Sequence, residues 1–117
     1  MHEIGLCEGV VETVLRRAGG RPVRRVRLRA GVRHAIVPDA MNQAFALVAA
    51  GTEAAGAAVD LVTVPARLCC DRCGAEADTL DLLAVCISCG SGEVRLAGGD
   101  ELVLESIEYA SRPQPAG

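Results

Sequence analysis

The hydrophobic positions of the chain follow two different periods. Residues 7 to 18, CEGVVETVLRRA, place Cys7, Val10, Val11, Val14, Leu15 and Ala18 along one side, with Glu8, Glu12 and Arg16 opposite at intervals of four. This spacing predicts an amphipathic helix of about three turns. Gly19-Gly20 and Pro22 mark its end, the first by permitting a left-handed cap and the second by refusing further helix. In VRRVRLRAGVR the period changes to two: Val26, Leu28 and Ala30 alternate with Arg25, Arg27 and Arg29. A half-buried strand with one apolar and one cationic face is expected there. Residues 38 to 50, PDAMNQAFALVAA, return to helical spacing through Met41, Ala44, Phe45 and Val48, with Pro38 at the start and Gly51 just beyond the end. AAVDLVTV, stopped by Pro65, and ELVLESIEY predict two further strands.

The order is therefore helix, strand, helix, strand, insertion, strand. An α+β fold accounts for it, a three-stranded sheet with two helices packed on one face and the arginine side turned to water. Residues 1–66 and 94–110 form a discontinuous domain in this scheme, with an inserted module at 67–93 and a disordered tail at 111–117. A chain of 117 residues has room for one core and a small appended module.

Composition refines this picture in three places. There is no Trp, one Phe and one Tyr, so the core must be aliphatic. Eight of the twelve basic residues, all Arg, fall between Arg16 and Arg33, yet the net charge is −3; a solvated strand face explains this cluster better than a nucleic-acid surface. No apolar run approaches the roughly 20 residues that span a bilayer, and no secretory signal is recognisable. The cytoplasm is the expected location, with no membrane insertion. In that compartment thiols stay reduced, so six cysteines point to metal or catalysis rather than disulfides.

Four of the cysteines form a repeat, CDRCG at 70–74 and CISCG at 86–90. Each Cys-x-x-Cys-Gly makes a tight turn that aims backbone N–H groups at its thiolates, and two such turns bring four sulfurs to a tetrahedron. Structural Zn(II) held by Cys70, Cys73, Cys86 and Cys89 is the expected occupant, with a redox dithiol pair or an iron–sulfur cluster as alternatives. Four thiolates close the coordination sphere, so this metal is not catalytic. Cys69 directly precedes the first ligand and leaves the register ambiguous by spacing alone; it reads as a spectator thiol, with ligand exchange as the other role. Cys7 reads as a buried helix residue and His34 as a loop residue, each with accessory ligation as the lesser possibility.

Met1-His2-Glu3 offers a second ligand set. An α-amino group, the amide of residue 2, the His2 imidazole and the next amide present four nitrogens within one short stretch, the square-planar preference of Ni(II) or Cu(II) and a poor one for Zn(II). On spacing alone a His at this position is incidental. The combination changes its weight: MHEIGLCEGVVETV, the helix–strand order, the paired Cys-x2-Cys motifs with CGSGE, and the closing ELVLESIEY resemble the HypA/HybF family of hydrogenase-maturation nickel metallochaperones over roughly residues 1–110.

That resemblance implies no enzymatic activity. It implies Ni(II) as a transient cargo at Met1, His2 and Glu3, structural Zn(II) at the four cysteines, and delivery with a nickel-handling GTPase to the large-subunit precursor of a [NiFe] hydrogenase, or to urease. Two departures stand out. Ile87 occupies a position where the family usually has Pro, and GVRHAIVPDAMNQAF replaces a more usual Gly-Glu-rich loop. The competing reading is a zinc-ribbon module that binds nucleic acid or protein through Arg24, Arg25, Arg27, Arg29 and Arg33. It lacks aromatic stacking platforms, and residues 71–93 carry Arg72 alone against five acids. A cysteine enzyme is less consistent still, because no Cys/His or Ser/His/Asp pairing is apparent.

Overall fold

The computed structural model describes residues 2–82 and 85–110, and of His2 the backbone alone. Met1 and the expected tail at 111–117 lie outside the described residues. The chain divides into two compact units: Met1–Leu28 with Val37–Asp60 and Leu104–Gly117, and Arg29–Ile36 with Leu61–Val103. Residues 29–36 and 61–66 thus cluster with the segment expected to form the inserted module.

In the first unit, helix α1 runs His2–Ala18 and helix α2 Pro38–Ala49. The heptad-like stripe of α1 is buried as its period requires, through Cys7, Val10, Val11, Val14 and Ala18. It meets Met41, Ala44, Phe45 and Ala49 of α2, and Phe45, the one Phe of the chain, is 1% exposed. Helix α1 begins at His2 rather than near Cys7. No Ser, Thr, Asp or Asn precedes residue 7 to signal a cap, and Gly5 lowers the local helix propensity. Glu3 in the first turn and Arg16 and Arg17 in the last complement the helix dipole.

Strand β1 (Val23–Gly31) lies between β2 (Ala58–Val64) and β6 (Leu102–Tyr109) in a three-stranded sheet. Val26 and Leu28 share one face of β1 and are buried, and Val23 at its start is buried as well. Burial of such side chains, at about 1.5–3 kcal/mol each, is the main stabilising term of this unit. Asn42 adds a polar clasp between helix and sheet. Its amide donates to the carbonyl of Val59 at 3.3 Å and accepts from the N–H of Val59 at 3.1 Å.

Three arginines of β1 are neutralised across the strands. Arg24 and Arg25 pair with Glu108 at 3.0 and 3.2 Å, Arg25 also with Asp60 at 2.9 Å, and Arg27 with Glu105 at 3.7 Å. All are solvent-exposed, so each contributes at most about 1 kcal/mol, but together they cancel the local charge.

The second unit holds a second three-stranded sheet, in the order β4-β3-β5, that the periodicity does not announce. Strand β3 (Ala66–Cys70) pairs antiparallel with β4 (Glu76–Thr79) on one side and β5 (Val94–Ala97) on the other. A short 3₁₀ turn, Val32–His34, belongs to this unit and is anchored to the chain before β6: Gly31 N–H donates to the Glu101 carbonyl and Arg33 N–H to that of Gly99, both at 2.7 Å.

Candidate metal centre

Strand β3 delivers the first Cys-x-x-Cys turn at its end, and the second turn stands just before β5. Both turns close in the same way. Cys70 N–H donates to the Ala75 carbonyl at 2.9 Å and Gly74 N–H to the Cys70 carbonyl at 3.0 Å; Cys86 N–H donates to the Ser91 carbonyl at 2.9 Å and Gly90 N–H to that of Cys86 at 2.7 Å. Gly74 and Gly90 sit at φ +80° and +75°, a conformation that costs any other residue about 1–2 kcal/mol. The repeated glycine is what lets each turn fold back onto its own first cysteine.

The result is a cluster in which the sulfurs of Cys70, Cys73, Cys86 and Cys89 all lie within 4.8 Å of one another. Cys70 and Cys89 are 3.7 Å apart, and Cys73 and Cys86 3.5 Å. An ideal tetrahedron with metal–sulfur bonds of about 2.3 Å has edges of about 3.8 Å, so these donors suit one four-coordinate cation. Cys70 and Cys86 are buried while Cys73 and Cys89 reach the surface. Among the described residues no other group of three or more His, Cys, Asp or Glu side chains converges in this way.

Backbone donors are aimed at the sulfurs. Cys73 N–H approaches Cys70 Sγ at 3.4 Å. Hydrogen bonds from the Cys89 N–H, and then from that of Ser88, outweigh burial at Cys86 and bring its thiol down to about 6. At Cys89 the Ser91 N–H pulls the thiol down, but burial and the sulfurs of Cys70, Cys73 and Cys86 push it up to about 12. At Cys73 the Ala75 N–H is likewise overcome, by Cys86, burial and Cys70, and the thiol is raised. Four sulfurs this close cannot all ionise unless a cation lies between them; a divalent metal removes the remaining protons outright.

The strand pleat resolves the ambiguity at Cys69. Successive residues of a strand point to opposite faces, so when Cys70 turns into the cluster Cys69 turns away. It stands opposite Glu76 in the β3–β4 register, with Sγ donating to Glu76 Oε1 at 3.5 Å. Its thiol is raised by burial and by Glu76. Cys7 is fully buried, its Sγ 3.1 Å from the sulfur of Met41. Its thiol too is raised, by burial first and by the charge of Glu3 second. His34 has Nε2 at 2.8 Å from the Asp100 carbonyl and is not part of the sulfur cluster. The Asn42 clasp has no sequence signature, because a polar side chain on a helix carries no sign of the strand it will meet.

Of the second ligand set, Met1 lies outside the described residues, His2 opens α1, and Glu3 is half-buried in its first turn. The amides of His2 and Glu3 belong to the first turn, whose N–H groups are not consumed by i→i−4 bonding within the helix.

A two-helix α+β unit joined to a two-turn, four-thiol, zinc-ribbon-like module defines a small metal-handling protein. The family model described as "Hydrogenase/urease nickel incorporation, metallochaperone, hypA" matches residues 1–109, and the chain belongs to this family of metallochaperones, which are not enzymes. It is 37% identical over 108 residues to the hydrogenase maturation factor HypA of Trichormus variabilis, covering 92% of this chain and 95% of that one. Identity to the HypA of Cereibacter sphaeroides is also 37%, over 111 residues, covering 92% and 98%. In fold it is similar to the solution structure of the Ni metallochaperone HypA from Helicobacter pylori, with a TM-score of 0.52 and 22% identity over 93% of this chain and 95% of that one. No helix among the described residues is long and apolar enough to cross a membrane.

Proposed function

We propose that the chain carries Ni(II) as transient cargo at Met1, His2 and Glu3 and keeps Zn(II) at Cys70, Cys73, Cys86 and Cys89 as a structural ion. In this reading residues 1–66 and 94–110 are the nickel-handling domain and 67–93 the zinc module. The protein works in the cytoplasm with a nickel-handling GTPase and delivers its cargo to the large-subunit precursor of a [NiFe] hydrogenase or to urease.

The observation that carries the reading is the closure of the sulfur cluster by its own backbone. Four thiolates at tetrahedral separations match the demand of Zn(II), and a closed shell leaves no position for cargo to enter. A nickel-incorporation protein then needs its exchangeable site elsewhere, and the described residues contain no second preformed cluster. The nitrogens of residues 1–3 supply one. Helix α1 favours anions at its start, so a cation there is held only by displacing amide protons and with help from the carboxylate of Glu3. Binding is consequently weak, which suits a carrier.

The same module could have served nucleic-acid binding. Three of the five arginines of that reading are, however, already engaged: Arg24, Arg25 and Arg27 are paired with Glu108, Asp60 and Glu105. The test is a titration of Ni(II) into zinc-loaded protein carrying no amino-terminal extension, beside His2→Ala. The expected outcome is a low-spin, four-coordinate Ni(II) spectrum that disappears in the variant; equal nickel binding by both proteins would overturn the proposal.

A further inference from the structure

We propose that the sulfur cluster is a redox-sensitive switch. A peroxide converts its four thiolates into two disulfides that run between the turns, and the module gives up its ion while keeping its fold. The inference rests on the zinc reading above. Cys70 Sγ lies 3.7 Å from Cys89 Sγ, and Cys73 Sγ 3.5 Å from Cys86 Sγ. The two contacts share no atom and together use all four sulfurs of the cluster. They are equivalent under the repeat, since each joins the first cysteine of one turn to the second cysteine of the other. Exposure divides each pair in the same way. Cys73 and Cys89 are exposed, whereas Cys70 and Cys86 are only 4% and 2% exposed. A peroxide therefore meets the second cysteine of a turn, and the first cysteine of the opposite turn stands behind it to resolve the product.

The chemistry balances without any further reactant. The Cys73 thiolate attacks one oxygen of hydrogen peroxide: an S–O bond forms, the O–O bond breaks and hydroxide leaves. Sulfur gives up two electrons in this step and becomes a sulfenic acid. The Cys86 thiolate then attacks that sulfur, so that the S–S bond forms, the S–O bond breaks and a second hydroxide leaves. Cys89 and Cys70 repeat the sequence. In sum, four thiolates, two molecules of hydrogen peroxide and four protons give two disulfides and four waters. Zn(II) has no redox chemistry of its own and departs because its thiolate ligands are gone.

The fold accommodates these bridges. Closing each pair to the disulfide length of about 2.05 Å needs a side-chain movement of about 1.5 Å and leaves the backbone closures of both turns in place. Both bridges tie the turn at the end of β3 to the turn before β5, two strands already paired from Arg67↔Ala97 to Cys70↔Val94. Cross-links at this point take over the ion's task of holding the turns together, so the oxidised module stays folded without metal. The remaining cysteines stand aside. Cys69 turns away from the cluster toward Glu76, and Cys7 is fully buried in the other unit.

The test titrates the full, reduced, zinc-loaded chain with hydrogen peroxide. Zinc release is followed with a chromogenic chelator, disulfides are mapped by tandem mass spectrometry, and amide NMR reports on β3, β4 and β5. The expected result is complete zinc release at two equivalents of peroxide, with bridges Cys73 to Cys86 and Cys70 to Cys89. The amide pattern of the three strands should persist, and dithiothreitol with added zinc should restore the starting state. Cys69→Ser should respond identically. Bridges within a turn, a bridge to Cys69, zinc retained in full, or loss of the strand pattern on oxidation would each overturn the switch. Zinc content before peroxide separates the two readings. A reduced chain that holds no zinc contradicts the metal reading and the switch with it, whereas a zinc-loaded chain that forms other bridges contradicts the switch alone.

Discussion

The sulfur cluster and the start of α1 solve opposite problems with the same material, backbone amides. In the cluster, N–H groups of Cys73, Ala75, Ser88, Cys89 and Ser91 point at sulfur and stabilise negative charge, an arrangement suited to enclosing a cation. At the start of α1, under the proposed nickel reading, amides of the first turn become ligands by losing their protons. The cluster is preorganised, with four sulfurs within 4.8 Å of one another. Under the proposed reading the nickel at the other end must compete with the helix that supplies its nitrogens, so one small chain would keep one ion and pass on another.

The largest effect should come from breaking the closed side. Cys73→Ser removes one of four ligands, and structural zinc binding is worth on the order of 10 kcal/mol, so zinc content should fall and the second unit should unfold early. Elemental analysis and thermal unfolding check this; unchanged zinc and melting temperature would contradict it. Phe45→Ala sharpens the contrast from the other unit. It should cost about 3–5 kcal/mol of stability through the cavity left between α1 and α2 while leaving zinc at its original stoichiometry. If zinc were lost as well, the two compact units would not unfold independently.

A smaller effect is expected from pH. Burial raises the Cys7 thiol above its ordinary value of 9.0, so the fold favours its protonated form. The stability gained this way is complete below pH 9.0 and is lost as pH rises through the raised value. The urea midpoint should therefore drop between pH 8 and pH 10 more steeply in the wild type than in Cys7→Ala. Equal slopes would show that Cys7 does not titrate with folding.

Much of the first unit was legible in the pattern of residues. The helical stripe through Cys7, Val10, Val11 and Val14 and the alternation of Val26, Leu28 and Ala30 each extend far enough to define a period, and burial follows them. The beginning of α1 was not legible, because no capping residue marks it and Gly5 argues against it. Strands β3, β4 and β5 span five, four and four residues, too few for alternation to stand out. The four cysteines were readable from their spacing, but the choice between Cys69 and Cys70 needed the pleat of β3, which turns adjacent side chains to opposite faces. Pairing of Arg25 with both Asp60 and Glu108 depends on β1 lying between β2 and β6, an order that local sequence does not encode.

The contrast between a closed and an open metal site is tested most directly by loading the full chain with one zinc and one nickel and then adding excess chelator. Both metals are followed in time. The account predicts that nickel leaves at once, with its planar nitrogen spectrum, while zinc remains bound. Loss of both ions together, or nickel retained with sulfur-to-metal charge-transfer bands, would contradict it.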